Sequence, residues 1–540
     1  MRRTTLVVLV AAAVSVAPSA PARAPVQLAF TDVCEYTGLR PHFYGALNHG
    51  VAWGDFDNDG RLDLFLGNFC DRGAQPTYGL AEATPNRLLR QTADGKFVHV
   101  PMPSVETRGR TSGAVLADLD NDGDLDLYVN NNTHGQPSAV AAKNEPPALY
   151  RNDGGRFVNI SRQCGACPAD GFLGRDVGVF DYDNDGLLDL LVVEETRRSA
   201  GHTRLYRNLG DLRFGDVTSR AGLPDDLDGL GVAVAELNGD NRPDFYLGGC
   251  NRLYLSRPGG RYEEAQSLRE VFDIHPMHGE DIVTGACLGD IDNDGDSDLT
   301  IGIHTPGARV RVYVNEGLRD GVPQFRNVTR ELGVPVLPNK GPSCDIADFD
   351  NNGWPDLYWS LAFAEGKQRT PFICRGLGVR DGLPRFDVPA VEGLDMSRVR
   401  DNSVPAGKRG MTYYGDGNAV DYDGDGDLDI IGGSWPPEMS HLFRNDTEGG
   451  GNYLQVKVVG TKMNRMGVGA RIRALSREKL VGYRELWMNG GYSASKQPIA
   501  HFGLGELERV DLEVTLPSQR RPLHFADVQA SQVFVVTEGR

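Results

Sequence analysis

Apolar positions in this chain fall in short runs, not at helical spacing. Gly113-Ala114-Val115-Leu116-Ala117, Leu127-Tyr128-Val129, Ala148-Leu149-Tyr150-Arg151-Asn152 and Phe157-Val158-Asn159-Ile160 follow one another. Runs of this length, rich in β-branched and aromatic residues and bounded by Gly, Asn and Asp, predict buried strands. The same order of four returns along the chain. First segments include Gly50-Val51-Ala52-Trp53-Gly54 and Gly231-Val232-Ala233-Val234-Ala235. Second segments include Leu64-Phe65-Leu66-Gly67 and Leu190-Leu191-Val192-Val193, and third and fourth segments include Arg204–Asn208, Phe214–Thr218 and Phe325–Thr329.

Between the first and second segment of each set stands a polar nine-residue stretch with acids at alternate positions and Gly at position 6. It occurs as DFDNDGRLD from Asp55, DLDNDGDLD from Asp118, DYDNDGLLD from Asp181, DIDNDGDSD from Asp290, DFDNNGWPD from Asp348 and DYDGDGDLD from Asp421. A weaker copy, ELNGDNRPD, begins at Glu236. The seven starts lie 63, 63, 55, 54, 58 and 73 residues apart. Four strands per ~60-residue unit, seven times over, predicts an all-β fold: a seven-bladed β-propeller. The seventh unit has a third segment, His441–Asn445, but no fourth. Phe30-Thr31-Asp32-Val33-Cys34 resembles the fourth segment beginning at Phe214 and is expected to complete that blade. Closure of this kind removes the free edges of an open sheet.

The alternating acids suit a hard cation held by oxygen. The candidate ligands at positions 1, 3, 5 and 9 are Asp55, Asp57, Asp59 and Asp63; Asp118, Asp120, Asp122 and Asp126; and Asp181, Asp183, Asp185 and Asp189. In the later loops they are Asp290, Asp292, Asp294 and Asp298; Asp348, Asp350, Asn352 and Asp356; and Asp421, Asp423, Asp425 and Asp429. Position 7 would offer its backbone carbonyl, from Arg61, Asp124, Leu187, Asp296, Trp354 or Asp427. Calcium is favoured over magnesium because it accepts more oxygens in flexible geometry, and the loops contain no thiolate or imidazole to suggest zinc or copper. About six ions are expected, with the Glu236–Asp244 copy doubtful. An EF-hand is excluded: its position-12 Glu is replaced by Leu66, Val129, Val192, Leu247, Ile301, Trp359 or Gly432.

These loops and their flanking strands resemble the FG-GAP/VCBS repeats of integrin-α-type propellers. The resemblance implies calcium on one face of the disc. From Asn452 the chain changes character: Asn464–Arg471, His501-Phe502-Gly503-Leu504-Gly505 and Val510–Val514 are similar to the ASPIC/UnbV domain of the cartilage acidic protein family. Where that family often has Trp-Pro-Ser-Gly, this chain has Leu516-Pro517-Ser518-Gln519. The alternating runs here predict a small β-sandwich or barrel. The expected organisation is a signal peptide at 1–24, a propeller at 25–448 and the β domain at 449–540.

Composition adds the setting. Arg2, Arg3, the apolar stretch Leu6–Val16 and Ala22-Arg23-Ala24 read as a cleavable secretory signal, and no later stretch is long and apolar enough to span a bilayer. Removing residues 1–24 takes away three Arg and no acid, so the formal charge of −18 becomes −21. A chain this acidic is a poor partner for nucleic acid or anionic membranes. Eight cysteines in an exported chain predict disulfides, with a small loop disulfide at Cys164-Gly165-Ala166-Cys167. His275, His278 and His49 precede first strands and read as polar loop histidines; His501 reads as structural. Arg151-Asn152, Arg207-Asn208 and Arg444-Asn445 recur at matched positions, which points to structure. No Gly-x-Ser-x-Gly, HExxH or P-loop occurs. The leading functional reading is a secreted or periplasmic calcium-stabilised propeller binding a protein or glycan, without catalysis. The alternatives are an enzyme with a site at the channel mouth, and an accessory protein in a biosynthetic pathway.

Overall fold

A computed structural model describes residues 26–43, 46, 48–69, 84–132, 145–168, 173–195, 202–274, 282–305, 309–337, 340–360, 372–388, 418–432, 440–519 and 521–539. The leader segment, Cys70 and His275–His278 lie outside them.

Seven sheets, one per repeat, each carry four antiparallel strands, in chain order in all but the last, whose outer strand comes from the N-terminus. Blade 2 is representative: Thr111–Ala117, Asp126–Asn131, Ala148–Asn152 and Phe157–Asn159. Its first two strands are buried at every position, because they are covered by blades on both sides. First strands pack against one another from blade to blade and form the inner wall. Their glycines permit this approach: a Cβ on Gly231 would lie 2.2 Å from the Thr284 carbonyl of the next blade. Between blades 2 and 3 the core holds Val115, Tyr128, Val177, Leu190 and Tyr206.

Closure occurs where the repeat pattern predicts it. Phe30–Asp32 pairs with His441–Asn445, with Phe30 opposite Asn445. Arg40 donates to Asp32 at 2.5 Å and His441 lies 2.9 Å from the same oxygen, all three side chains being buried. Gln91 of blade 1 donates to the Tyr422 carbonyl of blade 7 at 2.9 Å.

Residues 452–537 form two further sheets. Asn452–Val459 lies between Ile499–Gly505 and Val533–Thr537. Lys479–Glu485, Arg471–Ser476, Arg509–Thr515 and Leu523–Gln529 make the second, with Leu454, Val456, Ile472, Phe502, Leu512 and Val514 in the shared core. This unit sits on the face of the disc that carries the acidic loops. Gly505 N–H donates to the Asn351 carbonyl at 2.8 Å and Gln455 to Asp421 at 2.7 Å.

One segment of it goes further. Residues 488–496 leave the domain and enter the centre of the ring. Ala494 and Ser495 pair in parallel with Val51 and Ala52 of blade 1. Gly491 exchanges backbone hydrogen bonds with Ala286 of blade 5, at 3.0 and 3.2 Å. Asn489 accepts from Val179 N–H of blade 3 at 3.1 Å and donates to the Val177 carbonyl. Lys496 pairs with Asp345 of blade 6 at 3.0 Å. The axial channel is therefore plugged by the chain's own C-terminal unit.

Two expectations change. The described cysteines are free thiols: the Cys164 and Cys167 sulfurs are 3.5 Å apart, and Cys287, Cys344 and Cys374 pack in one apolar cluster as small apolar residues do. His49 is not a loop residue but part of a first strand (Asn48–Gly54), buried, stacked on Phe69 at 4.1 Å and edge-on to Tyr492 of the plug at 5.3 Å.

Candidate metal centres

Each loop is built by its own carboxylates. In loop 3, Asp181 accepts from Asp185 N–H at 3.0 Å and Gly186 N–H at 2.8 Å, and Asp185 accepts from Leu187 N–H at 3.0 Å. The position-6 glycines need the left-handed region, with φ from 87° at Gly60 to 102° at Gly123. Asn241 takes the same region in loop 4, at φ 68°.

Position 9 does more than end the loop. In all seven blades the second strand begins at this aspartate: Asp63, Asp126, Asp189, Asp244, Asp298, Asp356 and Asp429. One oxygen accepts the position-2 N–H, as from Leu119 to Asp126 at 3.2 Å. The other accepts an N–H from the end of the third strand, as from Asn152 to Asp126 at 3.0 Å. Burial pushes these carboxyls up, with the neighbouring acids adding to it: Asp63 to about 7 and Asp126 to about 8.

The carboxylates converge. Single oxygens of Asp55, Asp57 and Asp63 lie within 4.8 Å of one another, as do those of Asp118, Asp120 and Asp122. Equivalent clusters form at Asp181, Asp183 and Asp189, at Asp290, Asp292 and Asp294, and at Asp348, Asp350 and Asp356. Within each of these five loops one buried oxygen has no hydrogen-bond partner: Oδ1 of Asp57, Asp118, Asp183, Asp292 and Asp350. In three loops the other oxygen of the position-3 acid faces an Arg from its own third strand. These pairs are Arg90 with Asp57 at 3.7 Å, Arg207 with Asp183 at 2.8 Å, and Arg375 with Asp350. Clustered carboxylates with a buried oxygen left without a donor offer the kind of ligand a hard cation accepts. Loop 7 brings Asp421, Asp423, Asp425 and Asp429 into the same turn, with Asp421 also accepting from Gln455.

Loop 4 is different. Arg471 of the C-terminal domain pairs with Glu236 and donates to Asn241 at 2.6 Å. Asn238 turns its amide nitrogen to Asp244 at 3.0 Å and to Ser256, and Asp240 accepts from the Ser256 hydroxyl at 2.9 Å. A guanidinium serves as the local cation there.

Position-7 side chains do other work: Asp124 accepts from Asn58 of the preceding loop at 2.8 Å, and Asp427 from Asn351 at 2.7 Å. These donors are the position-4 asparagines, whose role sequence reasoning missed. Asn58, Asn121, Asn184, Asn293 and Asn351 all have φ between 53° and 61°. Each donates to the position-6 carbonyl of the next loop, for example Asn121 to Gly186 at 2.9 Å. The repeated Asn between the acids was the signal. The third-strand asparagines are structural as expected: Asn152 donates to the Phe56 carbonyl of blade 1 and the Leu125 carbonyl of its own blade.

A family model for the FG-GAP-like repeat matches residues 74–129, 181–247 and 290–359, and one for ASPIC and UnbV matches residues 460–540. The chain carries FG-GAP-like repeats and an ASPIC and UnbV domain. This FG-GAP propeller is homologous to cartilage acidic protein 1: the Xenopus tropicalis protein is 26% identical over 502 residues, covering 87% of this chain and 70% of the relative. The Homo sapiens protein is 26% identical over 493 residues, covering 87% and 69%. Integrin alpha-V of Gallus gallus is 28% identical over 220 residues, 36% of this chain and 21% of its own. A solved structure of YCF48 bound to D1 peptide aligns with TM-score 0.38 and 10% identity, covering 74% of this chain and 92% of that one. Among the described residues no helix is long and apolar enough to cross a membrane.

Proposed function

We propose that this FG-GAP propeller is an exported protein that carries six calcium ions and binds a protein or glycan partner. The observation that carries the calcium reading is the unpartnered Oδ1 of Asp57, Asp118, Asp183, Asp292 and Asp350. Each would otherwise leave a buried carboxylate oxygen without a donor. Positions 1, 3, 5 and 9 of loops 1, 2, 3, 5, 6 and 7 would hold the ions, with position-7 carbonyls completing the set. Loop 4 would hold none, because Arg471 already lies on Glu236. The ion supplies charge neutralisation and loop rigidity. Export rests on the leader-like segment at 1–24, and binding on kinship with the integrin-α type of propeller.

The plug bears on the partner. With residues 488–496 in the channel and the C-terminal domain over the loop face, a macromolecule is left the opposite face and the rim. The same arrangement counts against an enzyme site at the loop-side mouth of the channel. Two measurements test the reading. Metal analysis of dialysed protein should return six calcium ions per chain, and none would sink it. Pull-down or glycan-array binding should be saturable, without turnover, and lost in chelator.

A further inference from the structure

The position-4 asparagines form a relay from loop to loop, and the relay has two gaps. Asn58 of loop 1 donates to the Gly123 carbonyl of loop 2 at 3.2 Å and to the Asp124 carboxylate at 2.8 Å. Asn121 of loop 2 donates to the Gly186 carbonyl of loop 3 at 2.9 Å. Asn184 of loop 3 donates to the Asn241 carbonyl of loop 4 at 3.1 Å, where the Arg471 guanidinium lies. Asn293 of loop 5 donates to the Gly353 carbonyl of loop 6 at 2.8 Å. Asn351 of loop 6 donates to the Gly426 carbonyl of loop 7 at 3.2 Å and to Asp427 at 2.7 Å. In loops 4 and 7 position 4 is a glycine, Gly239 or Gly424. No position-4 side chain therefore reaches from loop 4 to loop 5 or from loop 7 to loop 1. Blades 7 and 1 are joined by a strand instead: Gln91 donates to the Tyr422 carbonyl, at position 2, outside the proposed ligand set.

Each relay contact joins two groups that an ion would organise. The donor stands between the ligands at positions 3 and 5, and holds φ between 53° and 61°, a region few residues other than glycine adopt. The acceptor belongs to the peptide that joins position 6 to position 7, and position 7 supplies the expected carbonyl ligand. Without an ion the clustered carboxylates repel one another. An ion that draws positions 3 and 5 together fixes the donor, and the donor fixes the position-6 peptide of the next loop. Part of the ordering cost of that loop is then met before its own ion arrives, which is positive cooperativity.

We infer that the position-4 asparagines are positioning residues that couple the ions in two groups of three, loops 1–2–3 and loops 5–6–7, with no coupling across the two gaps. The inference rests on the calcium reading above and adds which sites fill together.

The test is calcium titration of the full chain followed by hydrogen exchange, read separately at each loop. Loops 1, 2 and 3 should gain protection together, and loops 5, 6 and 7 together. Asp423→Ala, which disables loop 7, should raise the calcium midpoint of loop 6 about fivefold or more and leave loop 1, the neighbour on the other side, unmoved. Asp57→Ala, which disables loop 1, should raise the midpoint of loop 2, and this effect should vanish when Asn58→Gly is added. Glycine keeps the left-handed φ, so that change removes the amide alone. Asp292→Ala with Asn293→Gly repeats the cycle on loops 5 and 6, should the first pair fold poorly. Equal shifts of loops 6 and 1 in Asp423→Ala overturn the inference. So does a loop 2 shift that is the same with and without Asn58. If no loop gains protection from calcium, the calcium reading itself fails; if all six gain it with independent midpoints, only the coupling fails.

Discussion

At the scale of single residues, the position-9 aspartates and Asp32 are the most exposed to test. Asp126 holds two buried backbone N–H groups, one on each side of its blade. Asp126→Ala leaves both unsatisfied, at about 1–3 kcal/mol each. Urea unfolding should show the loss even in calcium-free buffer, which separates this role from metal ligation. Asp32 works in the opposite electrostatic direction. Burial pushes its carboxyl up, but the His441 hydrogen bond and the His441 and Arg40 charges outweigh it and hold it well below the usual carboxylate range. A depressed folded value means the stabilisation is present above the unfolded value near ~3.9 and fades as pH falls below it. Asp32→Ala should therefore cost about 3–5 kcal/mol at neutral pH, by leaving Arg40 buried without its partner, and progressively less in acid. Melting curves of both proteins from neutral pH to pH ~2 would show the two converging. Parallel curves would contradict the clasp.

At the scale of elements, loop 4 and the plug couple the two parts of the chain. Arg471 bridges the domain to Glu236 and Asn241. Arg471→Ala should destabilise by about 3–5 kcal/mol, since Glu236 stays buried with its charge unmatched. It should also loosen the domain, read as faster proteolysis near Asn452. The plug depends on one conformation. Gly491 has φ 75°, and a Cβ there would lie 2.4 Å from Ser343 Oγ and 2.8 Å from the Cys344 carbonyl. Gly491→Val should expel the segment, and hydrogen exchange at the first strand of blade 5, Val283–Gly289, should rise by orders of magnitude. Protection equal to wild type would mean the segment is not held by the channel.

At the scale of the whole molecule, stability follows the proposed ions. Each site filled at ~100 times its dissociation constant adds ~2.7 kcal/mol, so a chelator should lower the melting temperature by tens of degrees. Proton linkage gives a second signature. Burial, reinforced by neighbouring acids, raises Asp290 to about 7 and Asp348 to about 8. Raised folded values mean the metal-free protein binds extra protons, so its stability is highest below ~4 for these groups and falls as pH climbs to about 8. Calcium must displace those protons, so its affinity should increase between pH ~6 and ~8. Calorimetric titration at both ends of that window would show the change, and affinity that fell with pH would contradict it.

The blade count, the position of each loop, the second strands beginning at position 9 and the N-terminal strand closing the ring were all readable in one dimension. They follow from local facts: apolar runs, glycine at a turn and acids at alternate positions in a nine-residue stretch. Repetition made each local signal decisive. The plug and Arg471 on Glu236 were not readable. Their partners lie more than 100 residues apart in every case, as Gly491 from Ala286 shows, and no periodicity relates the domain to the blades. His49 was misplaced because its strand starts at Asn48, ahead of the apolar run from Gly50, where it stacks on Phe69 of the same blade. Sequence alone determined the ring and the acidic loops, because short-range chemistry and repetition specify them. Tertiary structure decided which loop takes a guanidinium and what fills the channel, because those outcomes depend on where a distant surface docks.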